Sequence, residues 1–293
     1  MIISGQETVT AAVQEAMAAT PDPRLREVMA AVVRHLHALI REVRPTDEEF
    51  MAALGFLTEM GKTCTATHNE AVLFADVLGA STLVALQNHG TADGDAALLG
   101  PFWRDRSPVT PNGGSLVRSV TPGPALFVRG SVADAAGLPL AGVRVDVWQA
   151  SPVGLYENQD DEQADMNLRG CLTTDADGRF WFRSVLPAGY PVPTHGPVGG
   201  LLRAQRRRPM RPAHLHFLLH RDGYDTLISQ VFVADDPDLE TDVVFGVTRA
   251  LVGDYRRESG PAPAADVAGP WYSLETRFVL QPGAAVLPQP PID

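Results

Sequence analysis

The sequence predicts an α+β chain, with a helical front over residues 1–105 and an antiparallel β-sandwich over 106–293. Three observations predict it. In the first hundred positions apolar residues recur at steps of three and four, the period of a helix. Near "GPFWRDRSPVTPNGG" (100–114) the character changes, and Pro and Gly punctuate short segments from there on. Those segments alternate apolar and polar residues, the period of a strand. A length of 293 residues suits one large domain or two, and 45% hydrophobic content is enough for a substantial core.

Taken in order, the first strong helix follows Pro23. Leu25, Val28, Met29, Val32, Val33, Leu36, Leu39, Ile40 and Val43 share its period, and Pro45 ends it. "PTDEEF" offers Thr46 as N-cap with Glu49 three residues on, a capping box. A further helical stretch covers "NEAVLFADVLGASTLVALQN" (69–88), where Gly79 is expected to break or kink it. Strands are expected in "LFVRGSVAD", "VRVDVWQA", "RGCLTT", "RFWFRSV", "AHLHFLLH", "LISQVFVA" and "ETRFVLQP". "DADG" (175–178) reads as a hairpin turn. Residues 187–212 read as a long Pro/Gly loop with no secondary structure of its own, a length tied to function or disorder. "QPGAAVLPQPPID" reads as a tail.

A net charge of -11 disfavours nucleic-acid binding, which needs a basic field. The one basic run, Arg206-Arg207-Arg208, is short and reads as a solvated or subunit-contacting patch. No apolar run is long enough to span a membrane. "MIISGQETVT" lacks the charged start and apolar stretch of a signal peptide. Cys64 and Cys171 form no CxxC, so reduced thiols in a cytoplasmic protein are expected. Fingerprints for dinucleotides, phosphate loops, HExxH and GxSxG are absent from the sequence.

The tripeptide HLH occurs twice, at 35–37 and 214–216. On a helix residues i and i+2 diverge by about 200°, whereas on a strand they share a face. The first copy lies in the helical run, so His35 and His37 point to different sides of Leu36. The second lies in a strand, with Leu215, Phe217 and Leu219 on one face and His214, His216 and His220 on the other. Two imidazoles on one strand face can serve one ion. An alternating polar face equally suits the solvent side of a sandwich, so this strand alone leaves metal binding open. Nearby candidates for further ligands are Tyr190, His195, His220, Asp222, Tyr224 and the acidic stretch after Tyr156.

Tyrosine is the more informative type. The chain has only five, and Tyr156 and Tyr190 sit in "SPVGLYENQD" and "LPAGYPVPTHGPVG", among residues that fix backbone shape. A phenolate is a hard anionic donor, suited to iron(III), and a metal lowers the phenol pKa well below its free value of about 10.

"LLGPFW", "GVRVDVWQASPVGLYENQD", "LRGCLTTDADGRFWFRSVLPAGYPVPTHGPVG" and "RPAHLHFLLHRDGYDTLISQVF" together resemble the intradiol ring-cleavage dioxygenases over about residues 25–280. That family includes catechol, chlorocatechol and hydroxyquinol 1,2-dioxygenases. The resemblance implies one non-haem iron(III) per subunit, held by Tyr156, Tyr190, His214 and His216. It implies an aromatic diol and O2 as substrates, with Tyr190 as proton acceptor and Arg211 stabilising negative charge on the ring. Gln230 matches a glutamine that supports the iron ligands from the next strand. The helical front is similar to the family's dimerisation domain, whose groove can hold a lipid, so a homodimer is expected.

Leu73 and Asp76 match substrate-pocket positions. Leu98, Leu99, Gly100, Pro101 and Phe102 match the opposite wall, with Val192, Pro193 and Val244 closing it. Asp76 is expected to face solvent in the empty pocket. Catechol members tend to be apolar there, whereas hydroxyquinol members and some chlorocatechol members carry Asp; "GPF" and "YPVPT" lean the same way, towards hydroxyquinol. Trp103, in "GPFW", departs from the family at the expected pocket rim.

Two other readings differ in class. "GLPLAGVRVDVWQA" followed by "TDADGRFWFRSVLPAGY" also resembles transthyretin-like binding modules, which need neither HxH nor loop tyrosines. A zinc hydrolase would want a carboxylate ligand or a positioned base, and neither stands out.

Overall fold

Helices occupy the front of the chain, as the apolar spacing requires, in a computed structural model that describes residues 2–65, 68–89 and 95–291. The chain forms two compact units, Met1–Thr58 and Glu59–Asp293.

In the first unit α1 (Gln6–Ala16) packs on α2 (Pro23–Val43), and α3 (Asp47–Thr63) begins. Asp22 caps α2 by accepting from the N–H groups of Arg24 and Leu25. The capping box of α3 forms in both directions: Thr46 N–H donates to Glu49 Oε2 at 2.8 Å, and Glu49 N–H to Thr46 Oγ1 at 3.2 Å. Arg41 and His37 of α2 both bond Thr10 of α1. Of the α2 side chains only Val33 is buried, while Leu25, Val28, Met29, Val32, Leu36, Leu39 and Val43 stand exposed.

The second unit opens with α4 (Glu70–Val77) and α5 (Ala80–His89). They meet at 78°, and the chain breaks at Gly79, whose φ of 71° suits glycine. Two sheets follow. One has the order β10 (Arg256–Glu258), β11 (Trp271–Leu280), β1 (Ala125–Asp134), β4 (Arg179–Val185). The other has the order β3 (Arg169–Thr173), β2 (Arg144–Gln149), β7 (His214–His220), β8 (Leu227–Val233), β9 (Val252–Gly253). Leu126, Val128, Phe180 and Phe182 of the first meet Val145, Val147, Leu215, Phe217 and Leu219 of the second in one apolar core.

Several expectations need correction. The sandwich is mixed, because β1 pairs β11 and β8 pairs β9 in parallel. Alternation reveals which face a strand buries but not which neighbour it takes. The last strand also begins at Trp271, four residues before the stretch expected from its charged alternation. "DADG" does form a tight turn, with Asp175 Oδ1 accepting from Asp177 and Arg179 N–H. The strands it joins, β3 and β4, lie in different sheets, so it makes no hairpin.

The stretch 187–212 is not structureless: it holds a two-residue ribbon, β5 (Tyr190–Pro191) with β6 (Met210–Arg211), and α6 (Pro197–Ala204). The glycines that suggested a loop serve close packing. Glu70 Oε1 accepts Val198 N–H at 2.8 Å at the start of α6, and a Cβ at Gly196 would collide with that carboxylate. The C-terminal tail is pinned by Asp225, which accepts Ala284 N–H and donates its own N–H to Gln281 O. Trp103 is no rim residue. It is 1% exposed and packs with Trp148, Phe102, Tyr156 and Leu218.

Candidate active site

β7 carries the second HLH. Leu215, Phe217 and Leu219 enter the sandwich core, and His214 and His216 project to the other face, which is also buried. That face is covered rather than solvated. Register supplies its neighbours. Trp148 of β2 and Gln230 of β8 both sit opposite His216, and Phe232 opposite His214. The Trp148 indole stacks on the His216 ring, with centroids 4.6 Å apart and planes at 10°. The β5–β6 ribbon sets Tyr190 opposite Arg211. Tyr156 precedes a single helical turn whose Gln159 accepts the Tyr156 N–H at 3.1 Å. Phe102 stacks on its ring at 4.5 Å.

Four donor atoms converge there. Tyr156 Oη lies 2.8 Å from His216 Nε2 and 3.1 Å from Tyr190 Oη, and the two imidazole Nε2 atoms lie 3.0 Å apart. All four side chains are buried. The Pro212 carbonyl lies 2.7 Å from His214 Nδ1. A carbonyl only accepts, so Nδ1 bears the proton and the Nε2 lone pair faces the group. Burial holds both imidazoles well below their usual pKa, as does the charge of Arg211; they are therefore neutral, the form that binds metals. Burial likewise pushes the Tyr156 phenol well above its usual range, so its deprotonation here calls for a cation. Two neutral nitrogens with two phenol oxygens make a donor set for a small, highly charged cation. Among the described residues no group of three or more His, Cys, Asp and Glu is arranged to hold a metal; here phenols complete the set.

Arg211 borders this group. Its Nη2 donates to Gln230 Oε1 at 3.0 Å, and Nη1 approaches His214 Nε2 at 3.3 Å. Gln230 Nε2 in turn donates to Leu98 O at 2.8 Å. A Cβ at Gly100 would lie 3.4 Å from His216 Cε1, so the backbone passes directly over that ring. Leu99 packs beside Phe102 and Trp103. Leu73, Val192 and Val244 are buried and Pro193 is half-buried, while Pro101 is exposed.

Asp76 does not face open solvent. It is half-buried, and desolvation holds its carboxyl above the ordinary range against the lowering influence of a Ser81 hydrogen bond and the Arg211 charge. His195 and His220 stand apart from the four donors. The His195 ring meets His68, and His220 bonds Thr226. Of the basic run, Arg207 is no solvated patch: it donates to Val77 O and Val243 O and lies over Phe245.

Sequence reasoning missed Trp148, Phe232 and Asp242. Trp148 and Phe232 read as ordinary core positions until register is known. Asp242, 5% exposed, binds Arg211 through both oxygens.

Comparison with known proteins points one way. The family profile described as "Dioxygenase" matches residues 98–280, and that described as "Catechol dioxygenase N terminus" matches 22–95. The hydroxyquinol 1,2-dioxygenase of Rhizobium sp. (strain MTP-10005) is 43% identical over 265 residues, covering 88% of this chain and 90% of that protein. The hydroxyquinol 1,2-dioxygenase of Nocardioides simplex is 40% identical, covering 90% and 91%. Among solved structures, hydroxyquinol 1,2-dioxygenase from Pseudomonas putida DLL-E4 superposes with a TM-score of 0.88 at 35% identity, over 95% of this chain and 99% of that one.

Proposed function

The chain belongs to the intradiol ring-cleavage dioxygenases, enzymes that use non-haem iron, and from that premise we propose that it opens hydroxyquinol (benzene-1,2,4-triol) with O2. The ring is cut between the two adjacent hydroxyl-bearing carbons. Both oxygen atoms enter the product, 3-hydroxy-cis,cis-muconate, the enol of maleylacetate. The observation that carries this reading is the convergence of two phenol oxygens and two imidazole nitrogens on one buried point.

One iron(III) per subunit fits that donor set, with Tyr156, Tyr190, His214 and His216 holding it. When bound, it would supply Lewis-acid chemistry that activates the diol towards O2. The residues do the rest. Tyr190 Oη accepts one of the protons the diol loses. Arg211, held by Gln230 and Asp242, presents a fixed positive charge to the ring as negative charge builds there. Phe102, Trp103 and Trp148 keep water from the ligands. Asp76 accepts a hydrogen bond from the third hydroxyl.

We propose a homodimer formed by the helices of residues 1–105, with a groove able to hold a lipid, and a catalytic domain over 106–293. The exposed apolar stripe of α2 supports the dimer. Two free cysteines fit a cytoplasmic setting. Among the described residues no single helix is long and apolar enough to cross a membrane.

The test joins metal, colour and turnover. Purified protein should contain iron and show a reddish phenolate-to-iron(III) band, and Tyr156→Phe or Tyr190→Phe should bleach or shift it. Oxygen uptake should be fastest with hydroxyquinol in a panel with catechol and 4-chlorocatechol. A colourless protein inert towards all three would remove the reading. A band unmoved in both tyrosine variants would remove the ligand set.

A further inference from the structure

We infer that Asp242 is a positioning residue for Arg211, fixing the guanidinium that faces the reacting ring while folding the turn that carries Val244. The inference rests on the role of Arg211 proposed above. Arg211 is buried, with five N–H donors to place. Its Nε and Nη2 donate to Asp242 Oδ1 and Oδ2 at 3.2 and 3.4 Å, a two-point grip that fixes the guanidinium plane. Nη2 also reaches Gln230, which leaves the Nη1 edge turned towards His214.

The same carboxylate accepts the N–H groups of Val244 at 3.4 Å and Gly246 at 2.8 Å. Other bonds hold that turn from outside: Thr82 Oγ1 donates to Val244 O, and Arg207 to Val243 O. One buried anion thus ties the orientation of Arg211 to a turn fastened to the end of α4 and to α5. Removing its charge leaves a buried guanidinium without a counter-ion.

The experiment is a double-mutant cycle on the iron-loaded enzyme. Asp242→Asn keeps the size and an oxygen for the turn but loses the charge. It should lower kcat on hydroxyquinol by about 10²-fold, the cost of misplacing a reacting group by roughly 1 Å. Iron content should hold, and anaerobic diol affinity, read from the visible band, should change by less than about threefold. In an Arg211→Met background the same change should cost less than about twofold, because its target is gone.

Melting of the metal-free chains gives the cycle independently of turnover. Asp242→Asn should lower the midpoint in wild type and not in Arg211→Met. Equal losses in both backgrounds, by either readout, would make Asp242 merely structural and overturn the inference. A wild-type enzyme that consumes no O2 with any diol would overturn the reading of the site, and this inference with it. Additive losses in an active wild type sink this inference alone.

Discussion

Under the proposed function, Asp76 is the side chain on which the choice of diol should turn. Its carboxyl is half-buried at the end of α4 and bonded to Ser81, and desolvation holds it above the ordinary carboxylate range. A half-buried acceptor that meets a substrate hydroxyl is left short when the substrate lacks one. Asp76→Ala should therefore lower kcat/KM on hydroxyquinol relative to catechol by about 5- to 150-fold, or about 1–3 kcal/mol, with iron content unchanged. Measuring both diols with both proteins decides it, and an unmoved ratio would reduce Asp76 to a helix residue. The four donor side chains were legible because each is a distinctive type in an unusual place: tyrosines among Gly and Pro, histidines alternating on a strand. Trp148 and Asp242 were not, because their roles arise from cross-strand register and from a distant turn, neither of which a local pattern carries.

The two HLH copies show what an element adds to a residue. In β7 the histidines share a face and their Nε2 atoms meet at 3.0 Å. In α2, His35 is exposed and His37 bonds Thr10. His214→Ala or His216→Ala should lose iron, whereas His35→Ala and His37→Ala should retain it. Elemental analysis separates the cases, and equal loss from the helical variants would refute the strand argument. Local patterns also placed α2, the capping box of α3, the break at Gly79 and seven strands, the last of them starting four residues earlier than expected. They failed on α6, whose glycines look like loop residues until Glu70 is seen against them. They were silent on the parallel pairs, since alternation is the same in either direction.

Across the whole molecule the aromatic residues divide unevenly. Every Trp and Tyr of the chain lies in Glu59–Asp293, so intrinsic fluorescence reports that unit and not Met1–Thr58. A resident metal stabilises the unit that binds it, by about 2.7 kcal/mol at a hundredfold excess over Kd. Chelation should thus lower the fluorescence-detected melting midpoint by about 5–10 °C, and added iron should restore it. A midpoint indifferent to iron would count against the metal site.

The parallel union of β1 with β11 bears on the order in which the molecule is made. All strands of the sheet that holds His214 and His216 have been synthesised once Gly253 has left the ribosome. β1, made far earlier, waits for Trp271–Leu280 to arrive beside it. Closing so long a loop costs chain entropy before any contact repays it, so this pairing is expected to form slowly. Until then β1 lacks its longest partner and offers a bare edge to any neighbouring nascent chain. The strands around the four donor side chains are thus synthesised first, and the bare edge falls on the other sheet.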